Sequence, residues 1–322
     1  MRTIIYGAGG VGGTVGGLLA RTGHEVLLID RSGHVNAINE HGLKLVTPAG
    51  THILRIPAVT SPEQIEFKPD DVIFLTTQSQ DSEDALKTLK RCVNTIPVFC
   101  LQNGVRNEET ATQLFKDVYG VVVRIKAAYL KEGEVGARMD PPGWLIMGRF
   151  PKGTDTLVEA IAKQLRRADV FVMVTPDIMR YKWGKLIRNL RTGVGAITNA
   201  SVADTMEIGK LAQKELDDLL AEAGIPYVTD EQISKEWPEF TIESPNFAAG
   251  EDQSSTWQSL TRKQGSVETE FFNGEVVRLA KKLGKAAPIN DGLNRIIQEM
   301  ATKRETPGKY TMTELKKILG IM

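Results

Sequence analysis

Short apolar runs and amphipathic stretches alternate along the first half of the chain. A strand buried on both faces of a parallel sheet reads as a continuous apolar run, whereas apolar residues spaced three and four apart predict a helix. The predicted strands are 3–6, 25–29, 71–77 and 96–101, and the predicted helices among them are 14–21 and 82–92. This alternation predicts an α/β domain with a doubly wound, Rossmann-type sheet.

Two stretches interrupt the simple strand–helix rhythm. Residues 43–59 alternate between apolar and polar positions, which is typical of a hairpin. Residues 118–148 form longer β segments broken by glycine and proline, and we expect antiparallel additions to the sheet there. A helix over 154–167 and a strand over 170–174 complete this half of the chain.

The pattern becomes helical after residue 175. Thr175 is a good N-cap and Pro176 fits the first helical position. The predicted helices are 177–191, 203–223, 257–284 with a break near Gly265, 289–304 and 312–319, and the predicted loop between them is 237–256. We therefore expect a Rossmann-type domain over 1–175, an all-helical domain over 176–322, and a ligand-binding cleft between the two.

A glycine-rich turn follows the first predicted strand, with the pattern G-x-G-x-x-G at residues 7–12. Strand, glycine turn, helix and second strand together form the context of a dinucleotide fingerprint. Gly7 permits the tight turn, Gly9 lets the backbone approach a pyrophosphate, and Gly12 lets the helix pack on the strand. The helix N-terminus attracts phosphate through its N–H groups. We predict dinucleotide contacts from Gly7, Gly9, Gly10, Val11 and Gly12; the alternative is a glycine-rich turn of some other α/β protein.

The end of the second predicted strand carries opposing signals for the choice of cofactor. Asp30 stands where an acidic residue usually binds the ribose hydroxyls of NAD. Arg31 follows it, and an arginine there can pair with the 2′-phosphate of NADP. We predict NADP because Arg31 can stack and pair while Asp30 turns away, with NAD as the alternative.

Composition narrows the class of protein. Lys plus Arg and Asp plus Glu number 40 each, so there is no basic surplus that would favour nucleic acid. No apolar run reaches the roughly 18–20 residues that a membrane span needs. All four histidines lie within the first 52 residues without ligand spacing, which predicts no metal site. Cys92 and Cys100 lie in or beside apolar runs, so we expect buried free thiols and a cytoplasmic protein.

Two segments of the second half carry polar residues that call for an explanation. Lys185 and Asn189 lie four residues apart and share a helical face. The pair Ser254-Ser255 precedes an apolar run, and Glu268 and Glu270 follow further on. The alternative explanations are a solvated Lys–Asn face, a serine that caps a helix, and exposed helix charges.

The motifs taken together resemble the ketopantoate reductase (2-dehydropantoate 2-reductase) family over nearly the full length. In order along the chain they are GAGGVGG at 7–13, QNG at 102–104, KWGKLIRN at 182–189, SSTWQSL at 254–260 and VETEFFNGEVV at 267–277. This combination is specific for the superfamily and less specific for the substrate.

The resemblance implies a role for each matching residue. Lys185 matches the lysine that polarises the substrate ketone and protonates the alkoxide, and Glu268 matches the glutamate that faces this lysine. Asn103 matches the strand-end asparagine near the nicotinamide and the reacting centre. Asn189 matches an asparagine that binds substrate, and Ser255 matches the serine that holds the substrate carboxylate.

Two departures from the family pattern concern the substrate side. The family commonly has a second asparagine three or four residues after the first, where this chain has Thr192 and Gly193. It also commonly has a lysine just after the strand that ends at Thr77, where Gln78 stands and becomes a cofactor-binding candidate. The residues matched for hydride transfer are kept, and the departures mean that the resemblance does not imply ketopantoate as the substrate.

These observations predict an NADPH-dependent reductase of a small 2-oxo acid. The alternatives are an NAD-dependent 2-hydroxyacid dehydrogenase on the same scaffold and a dinucleotide-binding sensor without catalytic activity. Partners implied by the resemblance are the small-molecule substrate and a second copy of the chain in a homodimer, with neither nucleic acid nor membrane.

Overall fold

The computed structural model describes residues 1–201, 203–240 and 254–321, and these form two compact units. The first unit, called here the Rossmann unit, consists of Met1–Asn103, Asn107–Lys182 and Ser234–Phe240. The second, called here the helical unit, consists of Gly104–Arg106, Trp183–Ile233 and the described part of Thr241–Met322. The domain limits at 1–175 and 176–322 stay a prediction.

The Rossmann unit contains a twisted sheet in which eight described strands follow the order β12-β11-β8-β7-β6-β1-β2-β5. Strands β7, β6, β1, β2 and β5 run parallel to one another, so their carboxyl ends meet at one edge. These strands are β1 Thr3–Tyr6, β2 Val26–Ile29, β5 Ala58–Val59, β6 Val72–Leu75, β7 Val98–Cys100, β8 Val118–Ile125, β11 Gly143–Arg149 and β12 Phe171–Val174. The predicted doubly wound α/β fold is confirmed.

Helices cover both faces of this sheet, as alternating side chains along β1 show. Ile5 joins a core with α1 and α5, whereas its neighbour Ile4 joins a separate core with α3. Burial on both faces explains the continuous apolar runs of the strands. The helices of this unit are α1 Gly10–Arg21, α2 Ser32–His41, α3 Ser82–Cys92, α4 Asn107–Thr112, α5 Thr156–Arg167 and the first turn of α6 Ile178–Asn189.

A smaller sheet of four described strands accounts for the two irregular stretches. Its order is β4-β3-β10-β9, with β3 Leu43–Thr47, β4 Gly50–Leu54, β9 Ala127–Lys131 and β10 Glu134–Ala137. The predicted hairpin is the antiparallel pair β3–β4. The prediction of purely antiparallel additions was wrong in part, because β8 pairs in parallel with β7 and β10 pairs in parallel with β3.

The described part of the helical unit consists of helices and turns without strands. Its helices are the remainder of α6, then α7 Thr192–Thr198, α8 Met206–Ala223, α9 Asp230–Glu236 (shared with the first unit), α10 Ser255–Thr261, α11 Asn273–Lys282, α12 Pro288–Thr302 and α13 Met312–Ile318. The single long helix predicted over 257–284 is α10, a 3₁₀ turn over Glu268–Phe271, and α11. Most of the predicted loop 237–256 lies outside the described residues.

Helix α6 begins one residue after the predicted start at 177, but the assignment of Thr175 as N-cap and Pro176 as first helical residue was wrong. Its first residue is Ile178, and Thr175 and Pro176 precede it. The Thr175 hydroxyl accepts a hydrogen bond from the Asp177 N–H at 3.3 Å, so it closes a turn before the helix.

Candidate functional site

The glycine turn between β1 and α1 is built by close backbone contacts that only glycine permits. Gly7 has φ of +108°, and a Cβ there would lie 2.7 Å from the Thr77 nitrogen. A Cβ on Gly12 would lie 2.2 Å from the Gly7 oxygen. Helix α1 therefore packs directly against the turn, as the fingerprint reading requires.

Gly9 has the opposite environment. A Cβ there would meet no heavy atom within 4 Å. Gly9 is the N-cap of α1 and has no side chain that could cap the helix. The backbone N–H groups of the first turn, including those of Gly10 and Val11, can therefore donate to a ligand. Open space before a helix N-terminus fits the diphosphate of a dinucleotide.

Two side chains hold this turn in place. The Thr76 hydroxyl donates a hydrogen bond to the Gly7 carbonyl oxygen at 2.7 Å. The buried His34 accepts from the Gly133 N–H through Nδ1 at 2.8 Å, so its Nε2 carries the proton and donates to the Ala8 oxygen at 3.0 Å. Sequence reasoning missed His34, since its partners lie 26 and 99 residues away.

The end of β2 presents Asp30 and Arg31 differently. The Asp30 carboxylate is 12% exposed and accepts a hydrogen bond from the Arg31 N–H at 2.7 Å. The Arg31 guanidinium is 82% exposed. Asp30 thus contacts both the backbone N–H of Arg31 and, at 3.9 Å, its Nε, while most of the Arg31 guanidinium is exposed.

The carboxyl end of β7 leads to Asn103 through Gln102. The Asn103 carbonyl accepts from the Asn107 amide at 2.8 Å and from the Ser79 hydroxyl at 3.3 Å. The Gln102 amide donates to the Ser82 hydroxyl at 2.8 Å. The backbone at Asn103 is therefore fixed by groups from α4 and from the segment after β6.

Gln78 stands in that segment after β6. It precedes the 3₁₀ turn Ser79–Asp81, and its side-chain oxygen accepts from the Gln80 amide at 2.7 Å. Gln78 and Asn103 thus follow two neighbouring parallel strands at the same edge as the glycine turn.

A buried ion pair that the sequence reasoning missed contacts the backbone of Gln102, the residue before Asn103. The Lys182 ammonium contacts the Glu108 carboxylate, and both side chains are almost completely buried. The Lys182 ammonium also donates to the Gln102 carbonyl at 3.2 Å. The sequence shows charged residues in KWGK and in the segment after QNG, but it does not show which of these charges are buried.

Burial also raises the pKa of the Cys100 thiol well above its usual value, which keeps it protonated.

Both cysteines are free, as predicted. Cys100 is buried, whereas Cys92 is only half-buried, so the expectation of two buried thiols was wrong for Cys92.

Lys185 and Asn189 lie on α6 within the helical unit. They are one turn apart on one face, and both are half-buried. The Asn189 carbonyl accepts from the Thr192 hydroxyl at 2.7 Å. The next carbonyl, of Leu190, accepts from the buried Asn273 amide at 3.2 Å, which ties the end of α6 to the start of α11.

The departure after Asn189 concerns Thr192 and Gly193, and both residues make contacts within the helical unit. The hydroxyl of Thr192 is used in the bond to Asn189 just described. A Cβ on Gly193 would lie 2.4 Å from the Ile297 Cδ1, because α7 packs closely against α12. An asparagine in place of Gly193 therefore requires the Ile297 side chain to shift.

Ser254 and Ser255 have separate positions at the start of α10. Ser254 is the N-cap, and its hydroxyl accepts from the Trp257 N–H at 3.2 Å. Ser255 is the first helical residue and its side chain is exposed. Capping therefore accounts for Ser254 and leaves Ser255 unexplained by the helix.

The two glutamates of the 3₁₀ turn Glu268–Phe271 also differ. Glu268 is buried, with 7% exposure, whereas Glu270 is exposed and its carboxylate accepts from the Asn294 amide at 2.9 Å. Reading both as exposed charges fits Glu270 and not Glu268.

Arg106 fixes this turn from one side. Its guanidinium donates to the buried Glu275 carboxylate at 2.7 Å and lies 4.9 Å from the centroid of the Phe271 ring. Sequence reasoning missed Arg106 and Glu275, which are 169 residues apart.

The described residues contain neither a candidate metal centre nor a candidate membrane-spanning helix. No group of three or more His, Cys, Asp or Glu side chains in the described part of the chain could hold a metal ion. Among the helices described, none is both long and apolar enough to cross a membrane.

Comparison with known proteins assigns both halves of the chain. Residues 3–152 match the family model of ketopantoate reductase PanE/ApbA, and residues 177–301 match the model of its C-terminal domain. The chain is 32% identical over 298 residues to the 2-dehydropantoate 2-reductase of Pyrococcus horikoshii, covering 90% of this chain and 94% of that protein. The corresponding enzyme of Aquifex aeolicus is 24% identical over 309 residues, covering 92% and 96%.

Solved structures agree with this assignment. The PanE/ApbA family ketopantoate reductase from Ralstonia eutropha JMP134 is 26% identical with a TM-score of 0.79, and the match covers 94% of this chain and 99% of that one. A D-mandelate dehydrogenase solved with NADH and anilino(oxo)acetate has a TM-score of 0.82 over 94% and 99% of the two chains. Its 22% identity shows a shared fold.

Proposed function

Since the chain belongs to the ketopantoate reductase family, and so is an NAD(P)H-dependent oxidoreductase acting on CH–OH groups, we propose that it reduces a small 2-oxo acid with NADPH. The observation that carries the proposal is the glycine turn, open over Gly9 and closed at Gly12, in a chain that also keeps the family's Lys185. NADPH supplies the hydride when it is bound.

The Rossmann unit has a place for the dinucleotide. The first turn of α1 offers N–H groups to the diphosphate, as the open space over Gly9 supports. The exposed guanidinium of Arg31 would pair with a 2′-phosphate, because arginine forms strong, charge-assisted bonds with phosphate. The Asp30 carboxylate already accepts from the backbone, which favours NADPH over NADH.

The helical unit supplies the proton in this proposal. Hydride addition to the carbonyl carbon leaves the electron pair of the C=O bond on oxygen. The Lys185 ammonium would stabilise that charge and give its proton to the oxygen, which leaves Lys185 neutral and the product a 2-hydroxy acid. The buried carboxylate of Glu268 would hold the ammonium in position.

The remaining side chains would bind the substrate. We propose that Ser255 donates to the substrate carboxylate, which makes the substrate an acid, and that Asn103 and Asn189 bind near the reacting centre. The fixed backbone at Asn103 supports a positioning function. Thr192 and Gly193 do not replace the family's second asparagine, so the substrate side chain need not be that of ketopantoate.

Turnover with a panel of acids tests the proposal. NADPH and NADH consumption would be measured with 2-dehydropantoate, 3-methyl-2-oxobutanoate and phenylglyoxylate, with methyl phenylglyoxylate as the neutral control. We expect reduction of at least one acid with NADPH, and little reduction of the ester. Faster oxidation of a 2-hydroxy acid with NAD would favour the dehydrogenase, and binding of NADPH without turnover of any acid would favour the sensor.

A further inference from the structure

A cavity of about 360 Å³ lies within the helical unit, and none of the residues assigned a role above lines it. Its walls come from α6, α8 and the segment that leads into α9. On α6 the lining residues include Gly184 and Arg188. Each lies one residue before Lys185 or Asn189, so it is rotated by about 100° around the helix axis from the face that carries those two residues. The volume lies at the low end of the range of small-molecule sites, about 300–1,000 Å³.

The ionic groups of the cavity are mainly basic. Arg188, Arg191 and Lys210 line it together with one carboxylate, that of Asp230. Asp230 accepts from Arg188 at 2.9 Å in an ion pair whose side chains are each about half exposed. Lys210 is exposed and forms no ion pair within the described chain. Cations exceed carboxylates here although the whole chain is neutral.

The cavity is framed by fixed groups. A Cβ on Gly184 would lie 1.8 Å from the Val228 oxygen, so glycine allows the segment before α9 to lie against α6. A Cβ on Gly209 would lie 2.9 Å from the Arg191 Cβ, so glycine lets α8 lie against the residue that precedes α7. The Tyr227 hydroxyl donates to Asp217 at 3.0 Å, which fixes an aromatic wall.

We propose that this cavity binds a small organic anion that carries carboxylate or phosphate groups. The guanidinium groups suit either group through paired N–H donors. Ile187, Met206 and the Tyr227 ring add apolar surface, which favours an organic anion over an inorganic one of equal charge. The proposal goes beyond the reductase activity and does not depend on it.

Calorimetric titration of the full chain tests the proposal, with citrate, phenyl phosphate and inorganic phosphate as separate probes. We expect citrate or phenyl phosphate to bind more tightly than inorganic phosphate. Lys210→Ala should weaken that binding about three- to fivefold, and Asp230→Asn should strengthen it about twofold or more, as exposed charges do. The opposite signs separate an anion site from a general loss of structure.

Two control variants locate the binding. Lys214→Ala removes an exposed lysine from the same helix, outside the cavity, and should leave binding unchanged. Lys185→Ala should also leave it unchanged. If Lys185→Ala weakens binding and Lys210→Ala does not, the probe occupies the catalytic site and the proposal is wrong. Absence of binding by every probe up to about 10 mM also overturns it.

Discussion

The two units present their candidate functional groups in different ways. In the Rossmann unit the glycine turn of the candidate cofactor site is formed by backbone. Gly7 and Gly12 allow close packing there because they have no side chain, and Gly9 leaves open space before α1. In the helical unit the candidates are side chains, carried by α6, by the start of α10 and by a 3₁₀ turn. The glycine turn of the Rossmann unit thus offers shape beside the side chains of Arg31, Gln78 and Asn103, whereas the candidate site of the helical unit consists of side chains alone.

This difference determines how each unit fails when it is changed. A backbone site is lost when a side chain enters it, even if every charge remains. A side-chain site is lost when one functional group is removed, even if the backbone is intact. Paired substitutions that keep one property and remove the other therefore separate the two kinds of site.

The glycine turn should give the largest effect. Gly9→Val places a branched side chain in the space over α1, where a Cβ meets nothing in the protein. We expect loss of measurable NADPH binding in calorimetry with an unchanged Tm. Gly12→Val is the matched variant: its Cβ would lie 2.2 Å from the Gly7 oxygen, and we expect about 1–3 kcal/mol or more of destabilisation. Normal NADPH binding by Gly9→Val would contradict the assignment of the turn.

Lys185→Ala tests the side-chain unit and should give the next largest effect. Losing a general acid should lower kcat about 10²- to 10⁴-fold while the Kd for NADPH stays constant. Glu268→Gln should cause a milder loss and move the pH–rate profile to lower pH, because a carboxylate that holds Lys185 as proposed would favour the charged ammonium. Lys214→Ala, on an exposed face of α8, is the control. A kcat within about twofold of wild type for Lys185→Ala would remove its catalytic role.

Local patterns predicted the Rossmann unit well, for a physical reason. A strand buried on both faces is a continuous apolar run, and a glycine turn shows directly in the sequence. The register of the parallel strands then puts Gly7, Gln78 and Asn103 at one edge without further information. The small sheet was harder, because β3 and β10 pair across about ninety residues.

The polar contacts could not be predicted in the same way. His34, Arg106 and Lys182 each meet partners more than 70 residues away. No periodicity marks such pairs, since burial depends on the packing of distant elements. The candidate roles of Lys185, Ser255 and Glu268 came from resemblance to a family, and they stay predictions. Local rules also misassigned the cap of α6, since Thr175 closes a turn before the helix.

The buried pair of Lys182 and Glu108 tests a side-chain interaction inside the Rossmann unit. Glu108→Gln leaves a buried ammonium without its carboxylate, and we expect a loss of about 3–5 kcal/mol in the free energy of unfolding. The double variant Glu108→Met with Lys182→Met should recover much of this loss, because neither charge remains. Urea denaturation gives both values. Asp218→Asn breaks an exposed pair and should change stability by less than about 1 kcal/mol.

If the double variant regains stability, the backbone at Gln102 and Asn103 should still change. Lys182 donates to the Gln102 carbonyl, next to Asn103, and methionine cannot. We expect the stable double variant to retain NADPH binding but to show a raised KM. An unchanged KM would mean that the pair serves stability alone.

Arg31 adds a charged side chain to a candidate cofactor site whose glycine turn is formed by backbone. Arg31→Ala should weaken NADPH binding about ten- to hundredfold, equivalent to a charged hydrogen bond of about 1.5–3 kcal/mol. Binding of NADH should change by less than about twofold, since NADH has no 2′-phosphate. Fluorescence titration with both dinucleotides measures the ratio, and Arg55→Ala, another arginine of this unit that binds a backbone carbonyl, is the control. Equal weakening of both would assign Arg31 to a different function.

The two serines at the start of α10 give the smallest effects and the closest comparison. Ser254 caps the helix, so Ser254→Ala should cost about 0.5–2 kcal/mol of stability and leave KM nearly unchanged. Ser255 is exposed and does not cap, so Ser255→Ala should keep stability and raise the KM of the 2-oxo acid about tenfold, with a smaller fall in kcat. Thermal unfolding and steady-state kinetics of the two variants measure both properties. Ser255 would be rejected as the carboxylate ligand if both variants changed stability and KM in the same way. It would also be rejected if Ser255→Ala lost stability without a change in KM, because a raised KM is the effect that contact with the substrate predicts for Ser255 and not for Ser254.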